Sequence, residues 1–176
     1  MIRHRRLLLA ATASFLFWFS STSEAASPSD LPSFREALLS QINHFRGGHD
    51  LPPLRADPRL NAASQEWAER LARIGRLQHR SGDSLSSLLD AGGWETINEN
   101  LYYSSSSPEP EKVLADWEKS PLHRKNLLNP TLRFAGLGRA SASSGATYLV
   151  FNGAGGKRGK TLKELWNGLP FRSSPD

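Results

Sequence analysis

Three side chains in this sequence have both the chemistry and the setting of a site: His79, Glu99 and His123. His123 stands in the stretch DWEKSPLHRKNLLNP, where Ser120 and Pro121 have the pattern of a helix N-cap and first helical residue. That places the imidazole in a first turn, where the positive end of the helix dipole disfavours its protonated form. A neutral imidazole suits a base or a metal ligand. The apolar neighbour four residues on is Leu127, while Lys125 points elsewhere, so the ring should lean toward the protein. Glu99 lies in INENLYY, whose alternation puts Ile97, Glu99, Leu101 and Tyr103 on one face of a strand. A carboxylate on an apolar face is costly unless it meets a cation, accepts hydrogen bonds or binds a metal. His79, in LQHR, falls in a polar, turn-rich stretch, and site residues concentrate in loops. Two imidazoles and a carboxylate form a donor set for a divalent cation, and with positions left to water such a set can hydrolyse bonds. The three are far apart in sequence, so only the fold can bring them together.

The remaining histidines read differently. His4 belongs to the basic N-terminus, His44 falls off the apolar stripe of its helix, and His49 sits in a Gly/Pro connector as a turn residue. Nucleophile-elbow, phosphate-loop and dinucleotide fingerprints do not occur, and the absence of cysteine removes thiol catalysis and disulfides together. Basic residues are scattered among the helices without interleaved aromatics, which gives no sign of a nucleic-acid surface.

Several elements must position the candidates. Ser33 and Glu36 have capping-box spacing, and Phe34, Leu38, Ile42 and Phe45 recur at helical intervals up to Gly47 and Gly48. Asp57 and Pro58 open a second helix with Leu60, Ala63, Trp67, Leu71 and Ile74 on one stripe, closed by Gly75. A short helix is expected around SLSSLLDAG, and a further one after Pro108, with Glu109 and Glu111 in its first turn and Val113, Leu114 and Trp117 facing inward. The Ser120-Pro121 pair restarts a short helix that ends near Pro130. FAGLGRASA and ATYLVFN read as a β-hairpin in which Gly136 and Gly138 leave room for close approach on one face. Helices and strands mix without a regular βαβ alternation, which makes the fold class α+β.

At 176 residues one domain with a real core is expected. Residues 1–25 have the basic start, apolar run and small-residue exit of a secretory signal peptide, and the run from Leu7 to Phe19 falls short of the about 20 residues that span a bilayer. An uncleaved N-terminal anchor is the alternative, with no transmembrane segment once the signal is removed. Cleavage would remove three arginines and one glutamate and lower the net charge from +5 to +3. The sequence thus divides into a signal at 1–25, a linker at 26–32, a domain at 33–153 and a basic, Gly-rich tail at 154–176. The tail segment TLKELWNGLPF reads as a piece that folds back on the domain, or as a membrane or partner patch.

The ordered set NHFRGGHDLPPLRADPRLNAASQEWAERLA, LQHR, INENL, WEKSPLHRKNLL and AGLG, followed by an apolar strand, resembles the CAP superfamily (cysteine-rich secretory proteins, antigen 5 and pathogenesis-related 1 proteins), in its short, cysteine-free bacterial form. The likeness spans about residues 33–153. It implies an α-β-α sandwich, with a mostly antiparallel sheet between helices, and a shallow cleft lined by two His and two Glu. On this chain His79, Glu99 and His123 match three of the four; the second Glu falls on Ser120, and Glu118, two residues earlier, should point elsewhere. Asn98 replaces a Gly and Asn152 a Gln, Asn100 matches and should pin the strand, and Trp117 should be core. The resemblance implies an extracellular or periplasmic protein. Three readings follow. In the first, the cleft binds zinc or another divalent cation through His79, His123 and Glu99, together with an extracellular ligand. In the second, a module recognises lipid, sterol or envelope polymer above a purely structural His/Glu network. In the third, a metal-dependent hydrolase uses Glu99 or His123 as base. The carboxylate missing at Ser120 weighs against catalysis.

Overall fold

The computed structural model describes residues 30–156. The signal segment and residues 157–176 of the tail lie outside the described residues. The helix with the longest apolar stripe, α2 (Pro58–Ile74), is the one against which the sheet is packed. It begins where Asp57 predicts: this residue is extended, and its Oδ1 accepts from the N–H groups of Arg59 and Leu60 at 2.9 and 3.2 Å. It ends at Gly75, whose φ of 69° is left-handed. Leu60, Trp67 and Leu71 are buried, joined by Ser64 and Ala68. Ile74 shares the angle of that stripe but sits in the last turn and remains 43% exposed.

The first helix, α1 (Asp30–Gly47), starts three residues before the expected capping box and takes in part of the expected linker. Asp30 supplies its acidic first turn, and Pro32 is tolerated there because first-turn N–H groups have no helical partner. Phe34, Leu38 and Ile42 are buried as the spacing predicts, but Phe45 is only half-buried, and the fully buried residue of the last turn is Arg46. Its Nε donates to Pro52 O at 3.1 Å, and its Nη1 to Leu127 O and Asn129 O at 2.6 and 3.1 Å. One guanidinium thus ties three chain segments together.

Four strands, β1 (Arg55–Ala56), β2 (Thr96–Ser104), β3 (Leu132–Ser141) and β4 (Thr147–Gly155), form one sheet in the order β1-β3-β4-β2. Only the two-residue β1 runs parallel to its neighbour. Strand β4 continues through Ala154 and Gly155, two residues past the expected end of the domain at residue 153. The helices α3 (Gly82–Gly92), α4 (Pro110–Lys119) and α5 (Pro121–Leu127) complete the chain. Alternation along the strands splits the core. Leu137, Leu149 and Phe151 pack with Phe34, Leu38 and Ile42 of α1, with Val113 and Trp117 of α4, and with Leu127 of α5. Leu101, Tyr148 and Val150 face Trp67, Ala68 and Leu71 of α2, while Ala154 meets Leu60 and Trp94. The result is the expected α-β-α sandwich.

Close approach of α2 to β3 depends on glycine. A Cβ at Gly136 would meet the backbone of Leu60, and one at Gly138 the backbone of Ser64 and Gln65. Gly138→Ala is expected to push α2 off the sheet and cost about 1–3 kcal/mol in denaturant unfolding. Gly47→Ala, where an added Cβ meets nothing within 4 Å, is the control and should change stability little.

Candidate functional site

Glu99 comes to the site from β2, the terminal strand of the sheet. Its strand pairs with β4, placing Glu99 directly across from Asn152, and its carboxylate lies on the α2 face with Ile97 and Leu101. There it is 2% exposed and finds two partners. Its Oε1 lies 2.8 Å from His79 Nδ1 and accepts the backbone N–H of Arg80 at 3.1 Å. A carboxylate only accepts, so Nδ1 carries the proton and the free ring nitrogen of His79 is Nε2. The other carboxylate oxygen lies 3.7 Å from Arg80 Nε, a Coulombic contact too long for a hydrogen bond. The cost of the buried charge is thus met by an imidazole, an amide and a guanidinium.

Arg80 organises this corner, although sequence reasoning assigned it no role. Its side chain is 7% exposed, its Nη2 meets Ala63 O and Glu66 Oε2, and its guanidinium stacks 4.7 Å from the Trp67 ring. Trp67 Nε1 in turn donates to Gln78 O at 3.0 Å. Together these contacts fix the loop that carries His79 against α2. The only sequence signal was a cation next to a candidate histidine, which by itself is commonplace.

His123 comes from α5, on the opposite face of the sheet from α2. Ser120 is the N-cap of α5, as expected, yet its hydroxyl makes no capping bond; the helix is held by its neighbours instead. Asn126 donates to Glu99 O at 3.2 Å and to Asn100 Oδ1 at 2.8 Å, while Asn100 donates to His123 O at 3.0 Å and Asn98 to Asn126 O at 3.1 Å. Asn98 and Asn100 therefore pin β2 to α5. Beneath them Trp117, 1% exposed, donates to Leu101 O at 3.0 Å and lies 6.5 Å, centroid to centroid, from the His123 ring. Burial, and after it the charge of nearby His79, hold the His123 imidazole below the ordinary histidine value. A ring titration followed by NMR should give His123 a midpoint below about 6.5, rising when His79 is replaced by Ala. Because the folded ring binds its proton more weakly than the unfolded one, its share of stability is full above about pH 6.5 and is lost as pH falls below it.

The missing carboxylate stays missing. Ser120 is half-buried at the α4–α5 junction, and Glu118 faces away from the cleft, lining a groove between α1 and α4 with His44, Phe45 and Leu114. His49 lies outside the cleft, with its ring edge on Phe45 and its Nε2 3.2 Å from Arg124 Nη2.

A three-ligand metal set does not fit this geometry. The Glu99 oxygen facing His79 already serves two hydrogen bonds; its other oxygen makes none, but it is buried and a divalent ion there would meet the Arg80 guanidinium 3.7 Å away. Among the described residues no group of three His, Asp or Glu is arranged to hold an ion.

The model of the cysteine-rich secretory protein (CAP) family matches residues 39–152. The chain belongs to this family. It is 25% identical over 123 residues to the uncharacterized protein YkwD of Bacillus subtilis, covering 68% of this chain but only 47% of that one. To the human Golgi-associated plant pathogenesis-related protein 1 it is 26% identical over 132 residues, covering 66% of this chain and 79% of the relative. Among solved structures, an outer surface protein of Borrelia burgdorferi superposes with a TM-score of 0.63 at 20% identity, over 76% of this chain and 97% of that one. An extracellular SCP-domain protein of Bacillus anthracis gives 0.57 at 23% identity, over 76% and 45%. At such identities these two likenesses carry the CAP fold and no more. No described helix is long and apolar enough to cross a membrane.

Proposed function

We propose that this CAP domain is an exported, non-catalytic binding module, and that its cleft holds a hydroxyl- or amide-rich polymer of the cell envelope between His79 and His123. One observation carries this reading: Glu99, the residue that would serve as base or metal ligand, is already committed to His79 and Arg80. A carboxylate so engaged orients its neighbour, and its second oxygen, which makes no hydrogen bond, is buried beside the Arg80 guanidinium and closed to solvent. What remains for a ligand is the outward edge of His79, whose side chain is 61% exposed, and the neutral ring of His123. The free Nε2 of His79 and the ring of His123 can each take part in a hydrogen bond, which suits sugar hydroxyls and peptide amides. The names of two structural neighbours, an outer surface protein and an extracellular protein, support an extracytoplasmic setting.

The groove between α1 and α4 favours a lipid reading as the alternative. It has a volume of about 550 Å³, with Phe45, Leu114 and Ala115 among its lining residues. Co-sedimentation separates the two. Purified peptidoglycan should retain the wild-type protein and lose the His79→Ala/His123→Ala variant, and phospholipid vesicles should retain neither. Equal retention of both proteins by vesicles would transfer the function to the groove, and no retention by either material would end the binding-module reading.

A further inference from the structure

The two edges of the sheet are treated differently. A strand edge left open is a template for pairing with another chain, and natural proteins cover or disrupt it. Strand β1 covers β3 for only two residues, pairing Arg55 with Phe134 and Ala56 with Ala135, after which the chain turns into α2. The next backbone groups along that edge are nevertheless all satisfied. Asp57 N–H donates to Ala135 O at 2.9 Å, and Leu137 N–H donates to Asn61 Oδ1 at 2.9 Å. Arg35 Nε donates to Leu137 O at 2.6 Å. Gln65 then makes both bonds that a neighbouring strand residue would make, accepting from Arg139 N–H at 3.1 Å and donating to Arg139 O at 3.0 Å. The guanidinium of Arg35 also donates to Gln65 Oε1 at 3.1 Å, holding the amide in place.

We propose that Asn61, Gln65 and Arg35 form a side-chain stand-in for a missing strand, and that it stops the Leu137–Arg139 edge from pairing with the same edge of a second copy of this chain. Asn61 and Gln65 are one helical turn apart on α2, so the helix presents its amides along the strand. A space of about 570 Å³, lined in part by Arg35, Asn61, Ala135 and Leu137, opens alongside. An incoming strand would therefore find room once the amides were gone. Such a strand pairs by two-fold symmetry, because the same segment on each copy supplies the donors and acceptors. At the centre of the opposite edge side chains supply donors only, Asn126 and Trp117 to the carbonyls of Glu99 and Leu101.

The test combines amide hydrogen exchange with sedimentation velocity over a concentration series. Asn61→Ala should speed exchange at Leu137 N–H by about tenfold or more and leave Arg139 unchanged; Gln65→Leu should do the reverse. The double variant should self-associate with rising concentration where the wild type does not. Gln65→Glu keeps the acceptor for Arg139 N–H and adds a charge to the edge, so it should remain like the wild type in both measurements. If the double variant loses its fold, the two single variants, each with its own released amide, carry the test by the same measurements. Released amides without self-association would overturn the guard, and unchanged exchange at both amides would overturn the stand-in itself.

Discussion

Replacing Glu99 by Ala is expected to lower the stability of the domain by about 3–5 kcal/mol in denaturant unfolding. The carboxylate is nearly inaccessible and stands between the imidazole of His79 and the guanidinium of Arg80. Its removal leaves a buried cation with only Glu66, whose side chain is 64% exposed and so worth little as a counter-ion. It also frees the Arg80 N–H and the ring of His79, which would lose its fixed orientation. Glu99→Gln keeps an acceptor for both hydrogen bonds while removing the charge, and should cost about 1–2 kcal/mol. Equal stability of Glu99→Ala and wild type would mean that this carboxylate is not the keystone of the corner.

Arg46→Ala should be nearly as damaging, with a loss of about 3 kcal/mol or more. The guanidinium is fully buried, has no carboxylate within ion-pair distance among the described residues, and donates only to backbone carbonyls of Pro52, Leu127 and Asn129. Burial, reinforced by the charge of Arg133, weakens its hold on the proton relative to a solvated arginine. Truncation takes the donor from three carbonyls where the end of α1, the proline connector and the end of α5 converge, and only Asn129 O keeps another, the long bond from Leu132 N–H at 3.4 Å. Arg46→Lys should rescue little, because an ammonium cannot reproduce the planar fork that reaches all three. A thermal melt of Arg46→Lys that overlays the wild type would contradict this role.

The sequence was most readable where a pattern is local. The cap at Asp57, the stop at Gly75, the break between α4 and α5 at Ser120-Pro121 and the close approach at Gly136 and Gly138 each follow from the conformational needs of one or a few neighbouring residues. The family motifs singled out His79, Glu99 and His123, of which His79 and Glu99 meet at 2.8 Å, and Glu118 lines the α1–α4 groove. What the sequence concealed is long-range polar pairing. Nothing in LQHR says that Arg80 will reach back to Ala63 and Glu66 while facing Glu99, because those partners are chosen by how the loop crosses α2. Arg46 falls on the apolar stripe four residues after Ile42, where its charge argues for solvent, yet it is among the most buried residues of α1. Asn61 and Gln65 read as ordinary helix-surface amides until β3 is laid beside them. Periodicity finds what packs, and such polar clamps depend on tertiary placement.

On this reading Glu99 is held by His79 and Arg80 and leaves the two histidines to a ligand. Calorimetric titration of the purified domain with zinc, comparing wild type with His79→Ala/His123→Ala, tests it most directly. The two proteins are predicted to show the same weak or absent binding. A wild-type site that saturates tightly at one ion per chain and vanishes in the double variant would contradict the account and show that the corner opens to take a metal.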